Sequence, residues 1–332
     1  MMSKIALTGI KPTGIPHLGN YLGAIKPALQ LSETCEARYF IADYHALNST
    51  KDANSIRQMT LEVAAAWLAA GLDPNKVLIY KQSLVPQTFE LLTMLLAFTP
   101  KGLMNRAHAY KAMLQSNAEN GKDPDDGVNM GLFTYPVLMA ADILLFDTDY
   151  VPVGKDQFQH VEMAVDIAQS FNYVYGQECF KLPEPMTTPT SHTLPGLDGR
   201  KMSKSYDNTI PLFCPEKQLR KLVMRVITNS QSVEEPKDPE TCTIFNIYRN
   251  FATDQQIEAL RQRYLAGGMG WGHAKQELFE VMNAALSPMR TRYDELMANP
   301  HTITSILEEG SAKARILAQK KIGYLRSVIG MD

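Results

Sequence analysis

The chain has 332 residues, a formal net charge of −2, 45% hydrophobic residues and 20% charged ones. Such a length gives room for about two domains with large cores, and the composition is that of a soluble globular protein. No apolar stretch reaches membrane-spanning length, since the run 137–146 is interrupted by Asp142, and Cys35, Cys179, Cys214 and Cys242 form no Cys-x-x-Cys pair that could hold structural zinc or an iron–sulfur cluster.

The N-terminus leads into a first strand at Ile5-Ala6-Leu7 with no long apolar leader, and with widely scattered cysteines this fits a reducing cytoplasm. A Gly/Pro turn, Gly9 to Asn20, precedes a helix marked by Tyr21, Leu22, Ile25, Leu29 and Leu31. Residues 39–42 read as a strand ending at Asp43-Tyr44-His45. The spacing of Met59, Val63, Ala66 and Ala70 predicts a helix over 55–72, closed by Gly71. A strand over 77–80 and a helix over 89–98, halted by Pro100, continue the alternation. This βα rhythm predicts a Rossmann-like doubly wound parallel sheet, with ligands at the carboxyl ends of the strands. Residues 101–130 read as an exposed, mobile insertion because 111–129 are polar and rich in Gly and Asp. A helix over 131–147 follows, and Pro and Thr accumulate over 183–195 as a linker. After about Pro211 the pattern is helical, over 218–227, 254–265, 274–286, 288–297, 303–309 and 313–329. Two domains are expected, 1–210 with the sheet and 211–332 all-helical. Two basic sets, Lys217/Arg220/Lys221/Arg225 and Lys313/Arg315/Lys320/Lys321/Arg326, could track phosphates or simply face solvent.

Three segments carry chemistry. Lys201-Met202-Ser203-Lys204-Ser205 packs two lysines and two hydroxyls into one loop, which can gather donors around a polyphosphate; alone it reads more readily as solvated surface. The 9–20 turn joins a strand to a helix N-terminus, an anion site by virtue of its free N–H groups, and puts His17 and Asn20 on one helical face with bare backbone at Gly19 between them. It is neither Gly-x-Gly-x-x-Gly nor a Walker loop. Tyr135, Met139 and Asp142, spaced four and three apart, form a helix face suited to a flat apolar ring with one N–H donor, or to an ordinary buried helix with a paired carboxylate. Val151-Pro152-Val153 supplies an apolar wall.

Together these segments resemble the class I aminoacyl-tRNA synthetase family. His17-Leu18-Gly19-Asn20 resembles its HIGH signature, and 201–205 matches its KMSKS signature letter for letter. Residues 134–145, 151–157 and His160, with the opening Pro12-Thr13-Gly14, resemble the bacterial tryptophanyl branch, over essentially the whole chain. The resemblance implies a ligase that joins L-tryptophan to ATP, with Mg2+, giving tryptophanyl-adenylate and pyrophosphate, then transfers tryptophan to tRNA(Trp). It implies His17, Asn20, Lys201 and Lys204 as catalytic groups. ATP would also meet Lys11, Pro12, Thr13, Gly19, Gly154, Lys155, Asp156, Met202, Ser203 and Ser205. Tryptophan would meet Leu7, His45, Tyr135, Met139, Asp142, Val151, Val153 and Gln157. A cytoplasmic homodimer without structural metal, whose helical domain binds the tRNA anticodon arm, is also implied. Lys11-Pro12-Thr13 stands where bacterial members commonly have Gln-Pro-Ser, Asp43-Tyr44-His45 where many have Asp-Gln-His, and 107–111 departs from Thr-Gln-Phe-Lys. The alternatives are a tyrosyl-tRNA synthetase and a nucleotidyltransferase of the HIGH superfamily that uses no tRNA.

Overall fold

The computed structural model describes residues 4–154, 157–187 and 194–332. The chain opens with β1 (Ile5–Ile10). A helix follows in three pieces, α1 (Leu18–Asn20), one π-helical turn (Tyr21–Ile25) and α2 (Lys26–Leu31). Next come β2 (Glu36–Ile41), α3 (Asp43–Ala46), α4 (Ala53–Ala69) and β3 (Leu78–Lys81). The Asp52 carboxylate starts α4 by accepting the Ser55 N–H at 2.7 Å, the usual device at a helix N-terminus. A short 3-10 turn (Gln82–Leu84) leads from β3 to α5 (Gln87–Leu96), α6 (Lys101–Met104), α7 (His108–Glu119) and α8 (Met130–Leu144). β4 (Tyr150–Pro152), α9 (Phe158–Tyr175) and β5 (Glu184–Met186) complete the sheet region. The remainder is helical: α10 (Glu216–Met224), α11 (Thr243–Tyr248), α12 (Asp254–Ala266), α13 (Trp271–Ala298) and α14 (Pro300–Ile329).

The five strands form one parallel sheet in the order β3-β2-β1-β4-β5. Both faces are covered, so the strands are apolar almost throughout. The two-residue period divides them: Tyr39 and Ile41 pack into one core with Trp67 of α4, while Phe40 between them packs into the other with Val137 of α8. Ile79 and Tyr80 of β3 divide the same way. The doubly wound α/β sheet with a helical C-terminal region is what the alternation predicts.

Several boundaries differ for identifiable reasons. The polar stretch expected as an exposed, mobile insertion contains α7 and a turn. Its buried Asn117 side chain donates to the Pro124 and Asp126 carbonyls at 2.8 Å each. The Pro-rich linker contains β5, where Pro185 pairs with Val151 at the sheet margin, the place where a strand tolerates proline. Pro288 lies inside one continuous helix, α13. The helices expected over 303–309 and 313–329 are one, and Gly310 between them lies within α14.

α14 explains that glycine. It lies against β3, the other margin of the sheet, and an ideal Cβ at position 310 would be 1.7 Å from the Ile79 carbonyl oxygen. The Ser311 hydroxyl accepts the Lys81 N–H at 3.1 Å, occupying a donor that an open edge strand would expose. Ile303 and Leu307 join one core, and Ala314, Ala318, Ile322 and Leu325 join the other. The last helix therefore returns to the sheet and crosses the division expected at 210/211.

Candidate active site

The strand order reverses between β1 and β4, so the connections leaving these two strands run to opposite faces and leave a crevice outside their carboxyl ends. A cavity of about 560 Å³ lies there. All eight residues expected at the amino-acid site line it: Leu7 from β1, His45 from α3, Tyr135, Met139 and Asp142 from α8, Val151 from β4, then Val153 and Gln157. Lys11, just after β1, also reaches it, with Phe40, Asn48 and Ser49.

Asp142 is 1% exposed. Burial raises its pKa, opposed by hydrogen bonds from His45 and Gln82. His45 Nε2 lies 3.0 Å from Oδ2, and Gln82 Nε2 donates to both carboxylate oxygens at 2.9 Å. Gln82 is itself fully buried, and its Oε1 accepts the Tyr44 N–H at 3.1 Å. The carboxylate is thus fixed from one side and lines the cavity on the other. Elsewhere on the lining, the Tyr135 hydroxyl meets His160 Nε2 at 2.5 Å and His160 Nδ1 meets Gln157 Oε1 at 2.9 Å. Lys11 Nζ donates to the Ser49 hydroxyl, and burial lowers the lysine pKa. A partly desolvated ammonium on a neutral hydroxyl suits a cavity whose occupant brings negative charge.

The two remote motifs meet beside this cavity. His17 bridges to Pro211 in antiparallel fashion, the Leu18 N–H donates to the Ile210 carbonyl at 3.0 Å, and the Leu212 N–H donates to the Pro16 carbonyl at 2.9 Å. Lys204 Nζ reaches the Thr13 carbonyl at 2.8 Å. Burial first, then the Lys204 charge, pushes the His17 pKa down to about 4, so its imidazole is neutral at pH 7. Asn20 Oδ1 accepts the His17 N–H at 3.1 Å and caps the first helical turn. The bare backbone at Gly19 faces the ring of His17, whose Cε1 would lie 2.9 Å from a Cβ there. Across from it lies the buried Met202.

This conjunction is matched by known proteins. Residues 3–287 match the family described as tRNA synthetases class I (W and Y). The chain belongs to that family. It is 55% identical to the tryptophan–tRNA ligase of Bordetella parapertussis over 99% of this chain and 74% of that relative. It is 51% identical to the tryptophan–tRNA ligase of Xanthomonas campestris, over 99% of this chain and 77% of that one. The tryptophanyl-tRNA synthetase of Campylobacter jejuni, solved as a complex with ADP and tryptophan, superposes with a TM-score of 0.88 at 45% identity. That match covers 98% of this chain and 99% of the Campylobacter chain.

Within this class I synthetase the sequence-predicted residues fall into two sets around one crevice. The amino-acid set lines the cavity. Pro12, Thr13, His17, Gly19 and Asn20 sit on the turn beside it, facing Lys201 to Ser205. Gly154 follows β4 and accepts the Gln157 N–H at 2.9 Å. Lys155 and Asp156 lie outside the described residues. Gln82 and the pairing of His160 with Tyr135 escape the sequence reading. The only local signal for Gln82 is a polar residue directly after an apolar strand.

Proposed function

We infer that this synthetase is a tryptophan–tRNA ligase, and that Asp142 accepts the indole N–H of the substrate. The observation that carries the reading is a fully buried carboxylate, held by His45 and Gln82, on the wall of a cavity flanked by Tyr135 and Met139. The relatives named above support tryptophan over tyrosine. The indole would lie between Met139 and the Leu7/Val151/Val153 wall, which excludes water. Tyr135 and Gln157 would orient the ammonium and carboxylate. A tryptophan carboxylate oxygen attacks the α-phosphorus of ATP; the new C–O–P bond forms as the bond to the β-phosphate oxygen breaks, and pyrophosphate carries away the charge. A hydroxyl of the tRNA terminal ribose then attacks the acyl carbon and AMP leaves.

Neither step needs a covalent enzyme nucleophile. Positioning and charge stabilisation suffice. Neutral His17 donates a hydrogen bond to a phosphate oxygen without competing for a proton, Asn20 adds its amide, and Lys11 faces the α-phosphate or the substrate carboxylate. Lys201 and Lys204, with the Ser203 and Ser205 hydroxyls, hold the departing pyrophosphate. Magnesium arrives with ATP as part of the substrate; among the described residues no group of three or more His, Cys, Asp or Glu is placed to hold a metal ion. The helical region reads the anticodon arm of tRNA(Trp). No helix among the described residues is long and apolar enough to cross a membrane. A cytoplasmic homodimer belongs to the same proposal, and sedimentation of the purified chain at single-chain mass would remove the dimer from it.

The test is ATP–pyrophosphate exchange with each amino acid in turn. Tryptophan alone should drive it. Exchange driven by tyrosine would move the assignment to the tyrosyl branch, and exchange with none would overturn the enzyme reading.

A further inference from the structure

The loop carrying Lys201 to Ser205 has little regular structure of its own, only an isolated bridge between Pro195 and Lys201 and a 3-10 turn (Lys204–Tyr206). Its lysines can act only if something else holds their backbone. That role falls to Asn208, which is 2% exposed. Its Oδ1 accepts the Ser203 N–H at 2.8 Å. Its Nδ2 donates to Asp198 Oδ1 at 2.6 Å and to the Lys201 carbonyl at 3.1 Å. One end of the amide faces an N–H and the other faces two oxygens, so the partners fix its orientation. The Asn208 carbonyl also accepts the Leu197 N–H at 3.0 Å. One buried amide thereby ties the Asp198 turn to both sides of Met202. The Asn208 hydrogen bond, ahead of Arg200, holds the Asp198 carboxyl below the usual carboxylate range.

We propose that Asn208 and Asp198 form a clamp that positions the 201–205 loop against the His17 turn for adenylate formation. Asn208 touches no substrate in this scheme. It is a positioning residue, and it acts by keeping Lys204 within reach of the Thr13 carbonyl and the phosphates beyond. The proposal rests on the reading that this loop works on the leaving pyrophosphate.

Asn208→Asp tests it. The variant keeps the size and the acceptor for Ser203, but turns an acceptor oxygen toward Asp198 Oδ1 and the Lys201 carbonyl. Combining it with Asp198→Asn restores a donor between the two side chains but leaves the Lys201 carbonyl facing an oxygen. Single-turnover adenylate formation, tryptophan affinity and tryptic cleavage after Arg200, Lys201 and Lys204 are measured together. Asn208→Asp should slow adenylate formation by about tenfold or more, equivalent to about 1.4 kcal/mol of barrier, with tryptophan affinity unchanged. It should speed cleavage of the loop, and the double variant should recover both in part. If Asn208→Asp fails to fold, Asp198→Ala on its open turn carries the same expectation. A wild-type rate in these variants, or a joint loss of rate and tryptophan affinity that the double variant does not recover, overturns the clamp. Lys204→Ala separates the two levels: no change there sinks the pyrophosphate reading, whereas a slow Lys204→Ala beside a normal Asn208→Asp sinks the clamp alone.

Discussion

Asp142 sits where two demands conflict. A carboxylate taken fully out of water is costly, and His45 and Gln82 offset that cost only in part, so its pKa stays raised. A substrate indole N–H would supply a further donor. Asp142→Ala should therefore reduce tryptophan-dependent exchange efficiency by about 10–100-fold, the worth of roughly 1.5–3 kcal/mol for a hydrogen bond to a charged group, while leaving the ATP dependence in place. Unchanged tryptophan kinetics would remove Asp142 from substrate recognition. The helix period made this residue legible beside Tyr135 and Met139, because spacings of four and three put side chains on one face whatever the tertiary fold. Gln82 was not legible, since it meets Asp142 from 60 residues away across the sheet. The meeting of His17 with Lys204, 187 positions later, likewise follows from no local spacing; it was readable only because both segments resemble family signatures.

At the scale of elements, β/α alternation gave the sheet, but glycine and proline misled wherever a tertiary contact outweighed local preference. Gly310 is the clearest case. In an isolated helix it would cost about 1 kcal/mol relative to alanine, so an end to the helix was the natural inference. Its lack of a side chain is what lets α14 close on the Ile79 carbonyl. Gly310→Ala then sets a propensity gain of about 1 kcal/mol against overpacking that typically costs about 1–3 kcal/mol, more when the obstacle is rigid backbone. The clash should win. The variant should unfold at a lower denaturant midpoint than the parent chain, and an equal or higher midpoint would show that α14 can slide away from β3 at little cost. Proline at 185 follows the same logic: it marks a sheet margin rather than a linker because its missing N–H is tolerated there.

At the scale of the molecule, the two basic sets are not equivalent. The α14 set is largely engaged with the chain itself. Arg315 donates to the Leu84 carbonyl at 3.0 Å, Lys321 pairs with Asp147 at 2.5 Å, Arg326 with Glu90 at 2.6 Å, and Lys313 with Glu309 at 2.7 Å. All but the Lys313 pair reach residues of the sheet region, so their first work is to dock α14. Lys217, Arg220, Lys221 and Arg225, on and just after α10, are exposed, and no ion pair engages them among the described residues. An exposed cation is available to phosphate; one already paired must first give up its partner. Neutralising the α10 set should therefore weaken tRNA aminoacylation and leave tryptophan-dependent pyrophosphate exchange intact. It should also flatten the salt dependence of tRNA binding, by about one unit of slope for each phosphate that is no longer neutralised. Neutralising Arg315, Lys321 and Arg326 should instead lower the unfolding midpoint and depress both activities together. Measuring the two assays on both sets of variants decides the matter. If the α14 variants lose only aminoacylation while the α10 variants lose nothing, the tRNA backbone runs along the last helix and the docking interactions give way when it binds.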